Sequence, residues 1–434
     1  MRRDVPNRSL HTLILLGKTS VGEPGTASNS EHSTRAVSRT VACAAAPPEE
    51  EDDDEELDQD ACPLGNGGRV ADDVDDEDME EVEGEVYDGP EDALQVLQAH
   101  SDAVLTCAWS PRDATSMVSG GCDDMAFLWK IQGLGPDAVV SKTELAGHTD
   151  TVSHVGYSAD GALVATAGLD GKVMIWDVEG KQKCQLEGPA EGLEFLKWHP
   201  RGPVVLAGSE DYSAWMWNAS TGACMQVFTG HGGSVNCGTF TPDGKTVVTG
   251  SLDGTLRAWD PRSGACTLTV QGHPYHESGL TSLDCDAEGG LIVSGSEDKS
   301  ARLVALASGK VKGSLLGHTD SVESVAFCPC MNMVASGSMD GTVMIWDLQT
   351  LAIRATLMHG NQDGVVSLKW LPNSPVVVTG CLDAKVRVWD ARTGDCVRTL
   401  GGHGAGIQDV AVRSDELVVA SASDDGTLRL FGLK

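Results

Sequence analysis

The sequence predicts an all-β protein, an eight-bladed β-propeller that follows a disordered acidic tail, and three observations predict it. A turn aspartate recurs at intervals of 41 to 47 residues. Short runs of Val, Ile, Leu and Thr lie between turns that contain Gly and Asp, as expected for strands rather than helices. The charge is uneven, because residues 47–92 hold 23 acids and one Arg. The recurring aspartates are Asp123, Asp170, Asp211, Asp253, Asp298, Asp340, Asp383 and Asp425.

Residues 230–260 show one unit of this repeat. The unit opens with a Gly-His pair, closes with a Trp-Asp pair and contains two Asp-Gly turns, at Asp243 and Asp253. Glycine accepts the positive φ that tight turns require, so the unit predicts an antiparallel meander. Such a meander cannot bury both of its faces alone, but copies stacked radially can do so.

These marks resemble the WD-repeat family, which implies eight units from residue 93 onward. In that family a His, a Ser or Thr, the turn Asp and the closing Trp link each blade. Four blades depart from the pattern, and we expect weaker links there: they carry Pro189, Val304, His359-Gly360 and Phe431 at those positions, with His273 as the fifth blade's histidine. The links that fit are His148, Asp170 and Trp176; His231, Asp253 and Trp259; and His318, Asp340 and Trp346.

The chain before the repeats divides into two segments. Residues 1–46 hold six Lys or Arg against three acids, which suits a transit peptide, a disordered extension or an unused upstream start. Residues 47–92 should be disordered, because they offer little apolar surface to bury. This tail is either a solubilising segment or a polyanion that captures a basic partner, and it either binds that partner or blocks the binding face. Residues 93–434 form the propeller.

The strand signal at residues 93–98 is positioned to complete the last blade, which lacks an outer strand of its own. Nothing in the repeats predicts catalysis, a cofactor or a metal site, and the grouping of His273, His276 and Glu277 matches no zinc motif. The net charge of −33 disfavours direct binding of nucleic acid or an acidic membrane surface. The scattered cysteines favour reduced thiols in a cytoplasmic, possibly also nuclear, monomer.

The WD-repeat resemblance implies a partner-binding face, formed by the loops before each first strand and the turns between second and third strands. Acids there would surround an acidic mouth, with apolar contacts among them, although exposed acids on an acidic protein can also be without function. The expected partner-binding residues are Glu194, Glu210, Glu297, Glu323 and Asp424, with Leu169, Leu252, Met339 and Leu382. Rim charges would come from Asp102, Asp150, Asp320 and Asp363.

A narrower resemblance comes from the departures. Residues 193–201 and 301–304, where Val304 replaces Trp, are similar to the family of angio-associated migratory cell protein. The fungal counterpart in that family is a dedicated chaperone of a basic large-subunit ribosomal protein. The resemblance implies a chaperone or escort in ribosome assembly that captures a basic segment on its acidic face. The alternative is a general scaffold in signalling, cell migration or ubiquitin-ligase substrate selection.

Overall fold

The computed structural model describes residues 91–135, 137–360, 363–415 and 417–433. The predictions for residues 1–46, and for the acidic tail up to residue 90, lie outside these residues. Within the described ranges the protein is all-β, as predicted, with 32 strands in eight antiparallel four-stranded sheets. No helix in this part of the chain is long and apolar enough to cross a lipid bilayer.

Each sheet is one blade, and the blades follow one another along the chain. Strand β1 (Gln95–Gln98) precedes blade one, which contains β2 (Val104–Trp109), β3 (Ser116–Gly121), β4 (Ala126–Gln132) and β5 (Val139–Leu145). Blade two contains β6 (Val152–Tyr157), β7 (Leu163–Gly168), β8 (Val173–Asp177) and β9 (Gln182–Leu186). Blade three contains β10 (Leu193–Trp198), β11 (Val204–Ser209), β12 (Ser213–Asn218) and β13 (Ala223–Thr229). Blade four contains β14 (Cys237–Phe240), β15 (Val247–Gly250), β16 (Leu256–Trp259) and β17 (Cys266–Val270).

The second half of the ring repeats this arrangement. Blade five contains β18 (Leu280–Cys285), β19 (Leu291–Ser296), β20 (Ser300–Ala305) and β21 (Lys310–Leu316). Blade six contains β22 (Val322–Phe327), β23 (Met333–Ser338), β24 (Thr342–Asp347) and β25 (Ile353–Met358). Blade seven contains β26 (Val365–Trp370), β27 (Val376–Cys381), β28 (Val386–Asp390) and β29 (Asp395–Leu400). Blade eight contains β30 (Ile407–Val412), β31 (Val418–Ser423) and β32 (Thr427–Gly432).

The ring closes through a strand from the start of the described chain. Strand β1 pairs with β32 in antiparallel register, with Gln95 opposite Leu430 and Gln98 opposite Thr427. The predicted closing strand is therefore present, beginning two residues later than the 93–98 signal. Its pairing gives blade eight the outer strand that it lacks, so all eight sheets have four strands.

The core lies between blades rather than within one. All residues of the second strands β3, β23 and β31 are buried, whereas the outer strand β29 is almost wholly exposed. Apolar clusters join neighbouring blades, and one of them packs Val118 of blade one against Val164 and Trp176 of blade two. Apolar residues at successive positions are explained by this arrangement, because each middle strand meets a neighbouring blade on both faces.

In seven of the eight described blades, a polar network fastens the connector from the preceding blade to the second and third strands. In blade six, His318 Nδ1 lies 3.0 Å from Asp340 Oδ2, and His318 Nε2 lies 2.8 Å from Ser336 Oγ. The Trp346 indole N–H donates to the same Ser336 hydroxyl at 2.8 Å. Although burial opposes the shift, hydrogen bonds with His318 and Thr342 hold the pKa of Asp340 well below its ordinary value.

Two of the other fitting blades share this network with small changes. Blade two repeats it with His148, Thr166, Asp170 and Trp176. In blade four the His231 ring contacts Thr249 and Thr255 at 2.7 and 2.9 Å, and Asp253 Oδ2 lies 3.5 Å from His231 Nδ1. The Trp259 N–H donates to Thr249.

The blade histidine of blade five is His276, and the assignment to His273 was wrong. The His276 ring contacts Asp298 at 2.8 Å and Ser294 at 2.9 Å, while His273 is exposed. Tyr275 occupies the place left by the missing Trp, because it is buried and its hydroxyl donates to Ser294 at 2.9 Å. The expected weakening at Val304 is therefore offset by a substitute donor.

Blades seven and eight compensate with arginine. In blade seven the Arg387 guanidinium donates to His359 Nδ1 at 3.0 Å and to Asp383 at 2.5 Å, so it bridges the two residues. In blade eight His403 contacts Asp425 directly at 2.8 Å, and Arg429 donates to both groups at 2.9 Å. Phe431 packs beside this His403 network without a polar contribution.

Blade three alone lacks a histidine network among the described blades. Pro189 and Ala207 stand where the other blades carry the His and the Ser or Thr. The Trp217 N–H instead donates to the Glu187 carbonyl at 3.2 Å. Of the four departures, this is the one in which the expected loss of polar links holds.

Candidate functional site

A β-bulge at the start of the inner strands places one residue of each blade at the channel entrance. The pairing between first and second strands skips this residue in seven blades, for example between Leu193 and Phe195 and between Val322 and Ser324. Bulges re-aim a side chain out of the regular alternation. We call these positions and the equivalent Asn236 of blade four the mouth ring, which consists of Leu105, Ser153, Glu194, Asn236, Thr281, Glu323, Val366 and Gln408.

A second ring surrounds the first on the same face. The residue before each turn aspartate donates its backbone N–H to the carbonyl two positions before the mouth-ring residue of its own blade, as from Glu210 to Gly192 at 3.0 Å and from Glu297 to Gly279 at 3.0 Å. The same bond recurs in all eight blades. We call these positions the turn ring, which consists of Cys122, Leu169, Glu210, Leu252, Glu297, Met339, Leu382 and Asp424.

The two rings contain the nine residues predicted to bind a partner, and they contain neither Lys nor Arg. Their acids are Glu194 and Glu323 in the mouth ring and Glu210, Glu297 and Asp424 in the turn ring. The sequence pattern thus placed these side chains on one face. The pattern did not predict how deeply each side chain is buried, and burial separates Glu194 from the other acids.

Glu194 is the exception among these acids, because its side chain is buried. The residue is 4% exposed, although the sequence suggested a freely exposed acid. Glu210 lies close to its carboxyl group, and its Oε1 atom is buried without a hydrogen-bond partner. Burial, followed by repulsion from Glu210, raises the pKa of Glu194 to about 8.

The remaining acids also lack neutralising partners. Burial and the nearby Glu323 raise the pKa of Glu297 above its ordinary value. Burial raises the pKa of Asp424, with Asp425 and Asp102 adding repulsion, although Gln408 donates a hydrogen bond to it at 2.8 Å. In both cases neighbouring acids add to the effect of burial, and their repulsion indicates a place where a cation would be stabilised.

The apolar members of the turn ring fill the seams between blades. Leu169, Leu252, Met339 and Leu382 are half-buried, and each packs against the glycine that precedes the next blade's inner strand: Gly192, Gly279, Gly364 and Gly406 respectively. A side chain at these glycines would collide with the packed Leu or Met. The four residues therefore contribute to the seams as well as offering partial apolar surface on the face.

The rim acids lie on the connectors, where they are exposed. Asp102, Asp150 and Asp320 each accept a hydrogen bond from the next backbone N–H, at 2.7, 2.7 and 2.9 Å, and Asp363 is likewise exposed. Lysines occur beside the turns at Lys172, Lys299 and Lys385. Lys299 turns its ammonium group to the Thr319 carbonyl at 2.9 Å. Acids consequently outnumber bases across the whole face.

The sequence analysis missed the charges inside the channel. A cavity of about 570 Å³ lies along the inner strands, with Lys197 and Lys369 on its wall. Lys197 is exposed to the channel interior rather than to bulk solvent, so burial lowers its pKa and Lys369 adds repulsion. Asp284 and Asp409 accept backbone N–H bonds from Phe327 and Cys107 of neighbouring blades, at 2.8 and 3.2 Å. Each of these four residues lies on an inner strand, and that position is the sequence signal from which their place in the channel could have been predicted.

A group of potential metal ligands lies elsewhere, in blade seven. His359, Cys381 and Asp383 bring their ligand atoms within 4.8 Å of one another. The Arg387 guanidinium already bridges His359 and Asp383, and burial together with this cation lowers the pKa of His359 to about 4. The group therefore has the chemistry of a buried ion-pair network.

Comparison with known proteins identifies families that the chain matches and a similar human protein. The family of nucleolar protein 10-like N-terminal domains matches residues 179–431, and the WD domain, G-beta repeat family matches residues 91–130 and 140–177. The chain is similar to human angio-associated migratory cell protein, with 34% identity over 370 residues that cover 81% of this chain and 83% of the human protein.

Two solved structures share the fold. One is Chaetomium thermophilum Sqt1 bound to the N-terminus of ribosomal protein L10, with 22% identity, a TM-score of 0.72 and coverage of 79% of this chain and 100% of that chain. The other is Saccharomyces cerevisiae Sqt1, with 22% identity, a TM-score of 0.71 and coverage of 79% and 99%. At this identity the likeness is one of architecture.

Proposed function

Because the chain belongs to the WD-repeat β-propeller family that includes angio-associated migratory cell protein, we propose that it is a non-catalytic escort of a basic ribosomal protein in large-subunit assembly. In this proposal a Lys- and Arg-rich segment of the client lies across the face formed by the mouth ring and the turn ring. The protein acts in the cytoplasm, where it holds the segment until assembly.

The observation that carries the proposal is the uncompensated acidity of the two rings. Five of their positions are acids and none is Lys or Arg. Glu194, Glu297 and Asp424 have raised pKa values, for which burial is the largest cause and neighbouring acids the next source of elevation. Cationic side chains would relieve this repulsion, and the field of the face would speed the approach of a basic segment.

The comparison supports the same class of partner. The Sqt1 structure with a similar fold is bound to the N-terminus of ribosomal protein L10. A flexible basic segment suits a channel entrance better than a folded domain does, because single side chains can reach acids at different depths. Release would follow when the client's cations meet a stronger polyanion, as RNA is.

The test is to measure binding of a peptide from the N-terminal segment of ribosomal protein L10 to the full chain. We expect binding at low ionic strength that weakens strongly at about 0.5 M salt, where the screening length is only a few ångströms. The double substitution Glu297→Lys and Glu323→Lys should weaken binding by about tenfold or more, since each close charge contact contributes on the order of 1 kcal/mol.

The matched control is Glu179→Lys with Glu288→Lys, which makes the same change of charge at exposed turns on the opposite face. This control should retain nearly full affinity. Equal weakening by both double variants would mean that net charge acts without a located face. Absence of binding at every salt concentration would contradict the escort proposal and favour the scaffold alternative.

A further inference from the structure

We propose that Glu194, with Glu210 beside it in blade three, forms an anchor subsite for one cationic side chain of the basic segment, and that this cation displaces a proton from the buried Glu194 carboxyl group. The inference rests on the proposed function and adds to it a specific position and a proton release. It also distinguishes blade three from the other acidic positions of the face.

The first observation is an unsatisfied buried oxygen. Glu194 lies at the β10 bulge, is 4% exposed and lines the channel. One of its carboxyl oxygens, Oε1, is buried without a hydrogen-bond partner, while the carboxyl group contacts Glu210. Buried polar atoms almost always have partners, so an orphaned acceptor at a channel entrance indicates a donor that arrives with a ligand.

A second buried acceptor without a partner lies at the mouth-ring position of the neighbouring blade four. Asn236 holds the equivalent place in blade four, lines the same channel, and its Oδ1 atom is also buried without a partner. A guanidinium or ammonium group has several N–H donors, so a single cation could serve acceptors of both blades after a small movement of their side chains. A neutral hydroxyl ligand would supply too few donors and would leave the acids repelling each other.

The third observation is an aromatic residue in an unfavourable conformation. Tyr212 follows Asp211 on the turn that carries Glu210, is 52% exposed and has φ of 70°. Four blades place Gly at this position, at Gly171, Gly254, Gly341 and Gly426. In the proposal this exposed ring, two residues after Glu210, adds an attraction for the cation, because the ring face attracts positive charge.

Other ionisable groups lie on the elements around Glu194. Glu191 on the connector and Asp211 on the turn are further acids, and His154 lies on β6 of the neighbouring blade. Lys197 lies three residues further along β10, about 10 Å deeper at the rise of a strand. Its like charge would stop an incoming cation at the entrance rather than let it pass down the channel.

The proton balance is simple. In the free protein the buried Glu194 carboxyl group holds a proton, because burial raises its pKa to about 8. When the cation binds, that proton leaves to solvent and the Glu194 carboxylate faces the positive charge. Since Glu194 has a pKa of about 8, this exchange releases close to one proton near neutral pH and strengthens binding as the pH rises.

The experiment is titration calorimetry of the full chain with a hexa-arginine peptide, repeated in buffers of different ionisation enthalpy. At about pH 7 the native chain should release close to one proton per bound peptide. Affinity should rise by up to about tenfold per pH unit between about pH 6.5 and 7.5, the limit for one coupled proton. Glu194→Gln should bind without proton release and with a flatter pH dependence.

Three further variants make the result specific. Glu210→Gln should reduce the proton release, because Glu194 loses the repulsion of Glu210 but stays buried. This variant covers the case in which Glu194→Gln fails to fold. Glu323→Gln, at the same mouth-ring position of blade six, should weaken binding but keep the proton release. Glu288→Gln, on the opposite face, should change neither.

The outcomes separate this inference from the proposed function. Peptide binding without proton release in the native chain, or with the same release in both Glu194→Gln and Glu210→Gln, overturns the anchor subsite and leaves the escort proposal standing. Failure of the native chain to bind the peptide at any pH overturns both.

Discussion

Blades three and six both carry a glutamate at the channel entrance, but the two glutamates differ in burial and in hydrogen bonding. Glu323 of blade six is half-buried, and its Oε1 accepts a hydrogen bond from Ser321 at 2.6 Å. Glu194 of blade three is buried, and its Oε1 has no hydrogen-bond partner. Behind Glu323 stands the complete network of His318, whereas blade three has Pro189 in the corresponding connector.

The difference shows that scaffold and site are separable within a repeat. Blade six fastens its connector through a buried histidine network, and its acid Glu323 is half-buried and hydrogen-bonded. Blade three lacks that network and has one unsatisfied buried oxygen, Glu194 Oε1, at the entrance. In the proposed function, the blade that lacks the network is the one that offers an unsatisfied buried acceptor to the partner.

The largest expected effect comes from breaking the network that only one of the two blades possesses. His318→Ala should lower the free energy of unfolding by about 3 kcal/mol, because Asp340 and Ser336 lose their partner in a buried setting. Urea unfolding of the full chain measures this loss. Pro189→Ala, at the corresponding place in blade three, should change stability by less than about 1 kcal/mol. Similar losses in the two variants would show that the network does not distinguish the blades.

An effect of comparable size should appear in the pH dependence of stability. Glu194 has a pKa of about 8 in the folded protein against an ordinary 4.5, so the folded state holds this proton more tightly than the unfolded chain does. The resulting stabilisation is present at low pH and is lost as the pH rises from about 4.5 to about 8. Between about pH 5 and 8.5 it should amount to roughly 2–4 kcal/mol.

Urea unfolding at both ends of this pH range provides the measurement. Glu194→Gln cannot ionise, so its unfolding free energy should fall less with rising pH than that of the native chain. Glu323→Gln should follow the native chain. The interpretation of blade three would be wrong if the Glu194→Gln and native curves stayed parallel.

The smallest effect concerns the turn beside the carboxyl pair. Tyr212→Gly gives blade three the residue type that blade six has at Gly341, and it relieves a positive φ of 70°. The free energy of unfolding should rise by about 0.5 kcal/mol, while affinity for a basic peptide should fall a few-fold as the ring is lost. Ala384→Gly, at a φ of 64° in blade seven, is the control that relieves the same conformation without removing an aromatic ring. Unchanged peptide affinity in Tyr212→Gly would exclude a contact with the ring.

The repeat period predicted the blades and the ring closure, because turn aspartates and strand runs report local chemistry. The choice of His273 was wrong because it relied on the Gly-His pair and did not use the number of residues between the histidine and its turn aspartate. The histidine contacts its aspartate 22 residues later in blades two, six and eight, and His276 obeys that spacing to Asp298. The same spacing could have identified it from sequence.

The burial of Glu194 could not be obtained in this way. It depends on a bulge that turns the residue toward Glu210, and on adjoining blades that cover it. The bridging role of Arg387 likewise depends on the direction in which a third-strand side chain turns. Local pattern identifies which residues share a face, whereas solvation arises from several strands at once.

The pairing of β1 with β32 has a consequence for the order of events during synthesis. Glu91 and Arg429, 338 residues apart, meet beside this pairing. Blades one to seven can each form from contiguous strands as they leave the ribosome, but blade eight must wait for the most distant pairing in the ring. Until that moment the rings on the binding face are an open arc whose acids do not surround a common channel. In the proposed function, the ability to hold a cationic segment would therefore be acquired in one step, when blade eight closes the ring.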